Sequence, residues 1–108
     1  MESKFEVITF KTNRSKEPFN DWLYGLDQET KNKVFNRISR IKNGNFGDYK
    51  NLGFGIFELR FDFGSGYRIY FGKKDHKIII LLCGGNKKTQ NKDIEKAKKY
   101  WEEYENQE

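Results

Sequence analysis

An α+β fold (α/β in the broad sense) with a four-stranded sheet and three helices is what this sequence predicts, and three observations carry the expectation. Residues 57–71 alternate apolar and polar side chains on either side of Gly64, Ser65 and Gly66, the period of a β-hairpin. Residues 78–83, IIILLC, are an unbroken apolar run of strand length, as in a strand covered on both faces. Residues 19–41 and 94–104 carry apolar side chains at helical spacing. A chain of 108 residues suffices for one core, so 1–108 reads as a single domain without metal or disulfide support.

Taken in order, FEVITF (5–10) is rich in β-branched and aromatic residues and predicts a first strand beside the apolar run 78–83. Thr12 to Lys16 form a polar loop. Pro18 suits a first helical position, with Phe19, Trp22, Leu23 and Leu26 on one stripe and Gly25 limiting the helix. Asp27 predicts an N-cap for a second helix, whose stripe of Val34, Ile38 and Ile41 runs to Gly44 and makes a helical hairpin with the first. Lys31, Lys33, Arg37, Arg40 and Lys42 lie mostly off that stripe and read as a solvated face. Residues 43–55, NGNFGDYKNLGFG, read as a loop that delivers Lys50 to the start of the next strand.

In the central hairpin, a three-residue loop of Gly64 to Gly66 pairs Phe63 with Tyr67, Phe61 with Ile69 and Leu59 with Phe71. Phe57, Leu59, Phe61, Ile69 and Phe71 then share a core face, and Arg68 points the other way. The polar face gains Asp62 opposite Arg68 and Arg60 opposite Tyr70, for which cross-strand salt bridging is the plain structural explanation. Lys73 to Lys77 form a turn with His76 exposed at its tip. Cys83, the lone cysteine, ends the apolar strand as a buried thiol and excludes an internal disulfide or multi-cysteine zinc site. After Gly84 and Gly85 comes a helix striped by Ile94, Ala97, Trp101 and Tyr104.

The composition has 17% aromatic against 35% hydrophobic residues, so the core rests on Phe, Tyr and Trp. No apolar run approaches membrane length and no leader pattern is present, which predicts a cytoplasmic protein without membrane association. A net charge of +5 points to a polyanionic or acidic partner. Lysines crowd residues 87–99 and glutamates follow from Glu102, an order opposed to the helix macrodipole. Lys87, Lys88 and Lys92, with polar Asn86, Thr89 and Gln90 at a helix start, predict an anion-binding site.

These motifs, ELR at 58–60, GYRIYFG at 66–72 and GGNKKTQNKDIEKAKKYW at 84–101, resemble the RelE/ParE superfamily of bacterial toxin–antitoxin toxins, in particular the HigB-like branch of addiction module killer proteins. The resemblance runs from FEVITF to Trp101. It implies a mostly antiparallel four-stranded sheet against helices, cleavage of mRNA in the ribosomal A site without cofactor or metal, and silencing by a cognate antitoxin of helix-turn-helix type. Arg68 matches the arginine that contacts the scissile phosphate in RelE-like nucleases. Lys87 or Lys88 takes the place of a basic residue before the last helix, with Asn86 as an insertion that leaves the choice open. Arg60 and Lys50 match further basic positions, and Tyr70, Gln90 and Lys92 complete the expected RNA-binding set. Asp93 and Ile94 stand where RelE carries a tyrosine, so its proton-transfer scheme does not transfer directly.

The residue types bound the chemistry. RNA cleavage by the 2′-hydroxyl needs a base, support for the phosphorane charge and an acid for the 5′-oxygen. Arginines supply only the support, because guanidinium stays protonated. A lysine crowded by cations releases its proton more readily, a role open to Lys87 or Lys88. Glu58, Asp62, Asp93 and Tyr70 are the other proton-transfer candidates. Two further readings of the fold are a ParE-like gyrase inhibitor, which needs no phosphate-facing Arg68, and a non-catalytic RNA-binding module.

Overall fold

The computed structural model describes residues 4–107. Its elements follow the chain as β1 (Glu6–Thr9), α1 (Pro18–Tyr24), α2 (Gln28–Lys42), β2 (Tyr49–Gly53), β3 (Ile56–Arg60), β4 (Arg68–Lys74), β5 (Ile78–Gly85) and α3 (Gln90–Gln107), the last preceded by a 3-10 turn, Lys87–Thr89. One sheet has the order β1-β5-β4-β3-β2, with β1 parallel to β5 and all other neighbours antiparallel. The architecture is therefore the expected α+β one, with five strands rather than four.

Local signals set the helix ends. Pro18 opens α1, where its missing N–H costs nothing, and Asp27 caps α2 by accepting from the Thr30 backbone N–H at 3.2 Å. Past Lys42 the chain turns at Gly44, whose φ of 88° suits glycine alone. The apolar stripes of α1 and α2 pack on one sheet face, where Phe19, Leu23, Val34 and Ile41 meet Leu59, Phe61, Ile69, Phe71, Ile79 and Leu81. On the opposite face α3 lays Ala97 and Trp101 over Ile56, Tyr70, Ile80, Leu82 and Cys83. A bulge between Tyr70 and Phe71 in the β4–β5 pairing turns Leu82 and Cys83 together toward α3. Gly72 leaves room for the Trp101 ring and Gly84 for Trp22, so large aromatics approach both sheet faces closely.

The fold departs from the sequence expectation in three places. Residues 49–53 are a strand and not part of a loop. β2 is an exposed edge strand, so it needs no apolar alternation and is held through its backbone pairing with β3. The β3–β4 register is shifted by two residues from the expected one: Leu59 faces Ile69, Arg60 faces Arg68 and Glu58 faces Tyr70. A two-residue slip keeps every side chain on its face, so Leu59, Phe61, Ile69 and Phe71 share one core and Arg68 lies on the other face as expected. The connection lengthens accordingly, with Phe63 leaving the ladder to accept from Gly66 N–H and positive φ at Gly64 and Gly66 closing the turn.

The third departure is Arg37, expected on a solvated helix face and found 6% exposed. Its Nε donates to the Phe46 carbonyl at 2.9 Å, one terminal amine to Arg60 O at 2.8 Å and the other to Asp48 O at 2.7 Å. Its guanidinium carbon also lies 4.9 Å from the Phe61 ring centroid. One side chain of α2 thus clamps the approach to β2 and the end of β3 together, and no short-range periodicity announces it.

Candidate functional site

The sheet face under the start of α3 is where charge concentrates. Cross-strand pairing brings Arg60 and Arg68 opposite each other at the ends of β3 and β4, with Glu58 and Tyr70 as the next pair inward on the same face. Glu58 is fully buried, and its Oε1 accepts from Arg60 Nε at 2.9 Å. Its Oε2 accepts from Tyr70 OH at 3.0 Å and from Gln90 Nε2 at 2.9 Å, with Arg68 Nε 3.6 Å away. Burial pushes the Glu58 carboxyl upward, but hydrogen bonds from Gln90, Arg60 and Tyr70 outweigh it and hold the group below its ordinary 4.5. Burial, the Glu58 charge and the bond to it push the Tyr70 phenol well above its ordinary value, so Tyr70 stays a donor.

That shift carries a sign. The stability contributed by ionised Glu58 is fully present above the ordinary carboxylate value and is lost as pH falls through the lower folded-state value. The melting temperature followed from pH 7 to 3 should stay level to about pH 5 and then fall, with Glu58→Gln flattening the acid limb. A Glu58→Gln protein with the wild-type acid limb would show that other carboxylates govern it.

Outward from this network lies an open groove of about 850 Å³, lined by Arg60, Arg68, Lys87, Asp48, Asp62 and the loop from Phe61 to Gly66. Arg68 donates from one terminal amine to Gly66 O at 2.8 Å, and its side chain is 12% exposed, against 34% for Arg60. Lys87 reaches the same wall because its backbone N–H meets Ser65 O at 3.3 Å, stitching the 3-10 turn to the hairpin loop. A Cβ on Gly66 would stand 3.3 Å from Lys87 Cβ and 3.4 Å from the Arg68 amine, which shows how tightly the three positions converge.

Of the sequence-predicted residues, then, Arg68, Arg60 and Lys87 meet on one groove. Lys88 is exposed and lies off it, so the lysine that shares the wall is Lys87. Gln90 and Tyr70 turn inward to Glu58, Tyr70 with no exposed surface, so neither presents the RNA-facing group expected of it. Lys50 sits on the edge strand opposite Glu58, and Lys92 is exposed on α3; neither lines the groove. Asp62 is exposed at the loop and is not the partner of Arg68 in the ladder, because the register shift gives that place to Arg60. Asp48 was not singled out from the sequence; its only signal is its position just before a strand that the sequence does not display.

The expected anion site at the helix start is largely taken up by the chain itself. Asn86 Oδ1 accepts from Thr89 N–H at 3.1 Å, and the Thr89 hydroxyl donates to the buried carboxylate of Asp93 in the first turn of α3. Cys83 is buried behind this turn, where burial and Asp93 push its thiol up to about 12. Among the described residues no helix is long and apolar enough to cross a membrane.

Residues 21–102, which contain α2, most of α1 and α3, and every groove residue, match the family described as Phage derived protein Gp49-like (DUF891). An uncharacterised protein of Haemophilus influenzae is 51% identical over 81 residues, covering 74% of this chain and 82% of that protein. The family match extends over more than half of the chain, and with this relative it shows the family: the chain belongs to the phage-derived Gp49-like family, a family of the plasmid and phage addiction-module killer type.

Proposed function

We propose that this chain is the toxin of a toxin–antitoxin pair and arrests translation as a metal-independent, ribosome-dependent mRNA endonuclease of the RelE/HigB kind. The observation that carries the reading is the convergence of Arg68, Arg60 and Lys87 on one open groove. Three cationic groups, two at the ends of the interior strands β3 and β4 and one on the 3-10 turn beside them, suit a phosphodiester whose charge grows in the transition state. In the reaction the RNA 2′-oxygen attacks the adjacent phosphorus, the bond to the 5′-oxygen breaks, and a 2′,3′-cyclic phosphate is left. The proton leaves the 2′-hydroxyl for a base, and the 5′-oxygen gains one from an acid. Asp48 and Asp62 are the carboxylates at the groove and Lys87 its ammonium, whereas Glu58, Tyr70 and Asp93 are buried away from a substrate. A sparse set of acids and bases suffices if the ribosome supplies the alignment.

Membership of an addiction-module killer-type family supports a toxin with a cognate antitoxin, the latter expected to be a helix-turn-helix protein. Induction in cells, with protein synthesis and DNA supercoiling followed side by side, tests the mechanism. Translation should stop within minutes with supercoiling unchanged. Loss of supercoiling with translation initially intact would replace the nuclease by a gyrase inhibitor, and growth without arrest would replace it by a non-catalytic binding module.

A further inference from the structure

We propose that Glu58 is the positioning residue of this groove, a buried carboxylate that sets the guanidinium groups of Arg60 and Arg68 for a phosphodiester. The inference rests on the nuclease reading for its substrate and on geometry alone for the positioning. Arg60 and Arg68 stand directly opposite across an antiparallel pair, where like charges repel. Something must offset that repulsion, and the two acids at the groove do not: Asp62 stands exposed in the loop, and no hydrogen bond or ion pair joins the Asp48 or Asp62 carboxylate to either arginine among the described residues. Glu58 does, one pair inward on the same face, with Oε1 on Arg60 Nε at 2.9 Å and Oε2 3.6 Å from Arg68 Nε.

The arrangement holds the arginines from behind. Arg60 meets the carboxylate through Nε, and Arg68 faces it through Nε while one terminal amine donates to Gly66 O. Terminal amines are thereby left for phosphate oxygens, the pronged contact that guanidinium makes best. Arg68 Nε is buried and makes no hydrogen bond, so the Glu58 charge facing it and the Gly66 carbonyl on the terminal amine together hold the guanidinium in place. Glu58 itself is 0% exposed and touches no groove space, which removes it as a base acting on substrate. Tyr70 from β4 and Gln90 from α3 both donate to Oε2, so the carboxylate is fixed by the strand beside it and the helix above it.

The test uses Glu58→Gln in the full chain, with three measurements: ribosome-dependent cleavage, affinity for a short RNA carrying a 2′-deoxy scissile position, and the NMR signals of the arginine Nε–H groups. Replacing the carboxylate by a neutral amide removes one negative charge from the site, so RNA affinity should hold or rise. Cleavage should nonetheless fall roughly 10- to 100-fold, as for lost supporting groups elsewhere. Both Nε–H signals should shift or broaden. A merely structural role would instead lower affinity and cleavage together, and unmoved Nε–H signals would overturn the positioning outright. Unchanged cleavage with displaced signals would equally overturn it. Should Glu58→Gln fail to fold, Gln90→Ala keeps the carboxylate and removes one donor from Oε2; it should displace the Arg68 signal more than the Arg60 signal, and the absence of any displacement overturns the proposal. If wild-type protein cuts no RNA while Glu58→Gln still displaces both signals, the nuclease reading falls and the positioning stands.

Discussion

Arg68→Ala should abolish growth arrest and lower mRNA cleavage by at least about 100-fold, the effect of removing a donor aimed at transition-state charge. The protein should stay folded. Breaking a buried ion pair is usually severe because a charge is stranded, but Glu58 keeps Arg60, Tyr70 and Gln90 as partners when Arg68 is gone. Arg68 Nε makes no hydrogen bond to lose, and the one lost from its terminal amine leaves the Gly66 carbonyl at the open groove, where water replaces it in part, so a cost of about 1–2 kcal/mol is expected. Arg68→Lys should recover part of the activity, since a point charge attracts phosphate without the two-pronged grip. Lys87→Ala should reduce cleavage more than Lys88→Ala, because Lys87 alone of the two lines the groove. Primer extension on mRNA from cells expressing each variant reads all four; undiminished, codon-phased cleavage by Arg68→Ala would move the catalytic site elsewhere on the fold.

The largest effect on stability is expected at Arg37. Arg37→Ala removes three charged hydrogen bonds and leaves the carbonyls of Phe46, Asp48 and Arg60 to find water or go without. Hydrogen bonds to charged groups contribute about 1.5–3 kcal/mol each, and partial solvation of the exposed loop returns some of that, so a net loss of about 3 kcal/mol follows. For a domain of this size that is a fall of roughly 10–20 °C in melting temperature. Arg37→Lys should rescue little, because an ammonium cannot span three carbonyls in a plane. Cleavage should fall as well, since Arg60 and Asp48, both on the groove, are held by this clamp. A variant within 1 kcal/mol of wild type by denaturant unfolding would show that the ladder holds this corner unaided.

The two experiments separate different properties of one corner of the molecule. In the proposed mechanism Arg68 acts on RNA from a strand that other contacts keep in place, so its loss should be mild in unfolding and severe in activity. Arg37 touches no ligand and acts through the backbone that carries Arg60, so both measurements should move. Together with Glu58 they describe a groove whose cationic groups are held from two sides, by a guanidinium on carbonyls under one sheet face and by a carboxylate under the other.

What the sequence determined by itself was the set of local choices. Pro18, Asp27 and Gly44 mark helix ends through capping and backbone freedom, and alternation assigns Leu59, Phe61, Ile69 and Phe71 to one face and Arg68 to the other. Arg68 entered as a phosphate-binding candidate through the family resemblance, since alternation alone favours cross-strand salt bridging there, and the lysines after Gly85 through positive charge crowded at a helix start together with that resemblance. The tertiary structure alone decided the rest. A two-residue slip leaves alternation unchanged, so only the pairing of Glu58 with Tyr70 and the hold of Arg37 on Arg60 O distinguish the observed register from the expected one. β2 carries no apolar alternation because an exposed edge strand is fixed by a neighbour's backbone and not by its own side chains. Choosing Lys87 over Lys88, turning Tyr70 and Gln90 inward, and burying Arg37 and Glu58 all depend on groups brought together from distant parts of the chain. Short-range periodicity encodes which face a residue occupies; which partner waits there is settled only when the sheet closes under α3.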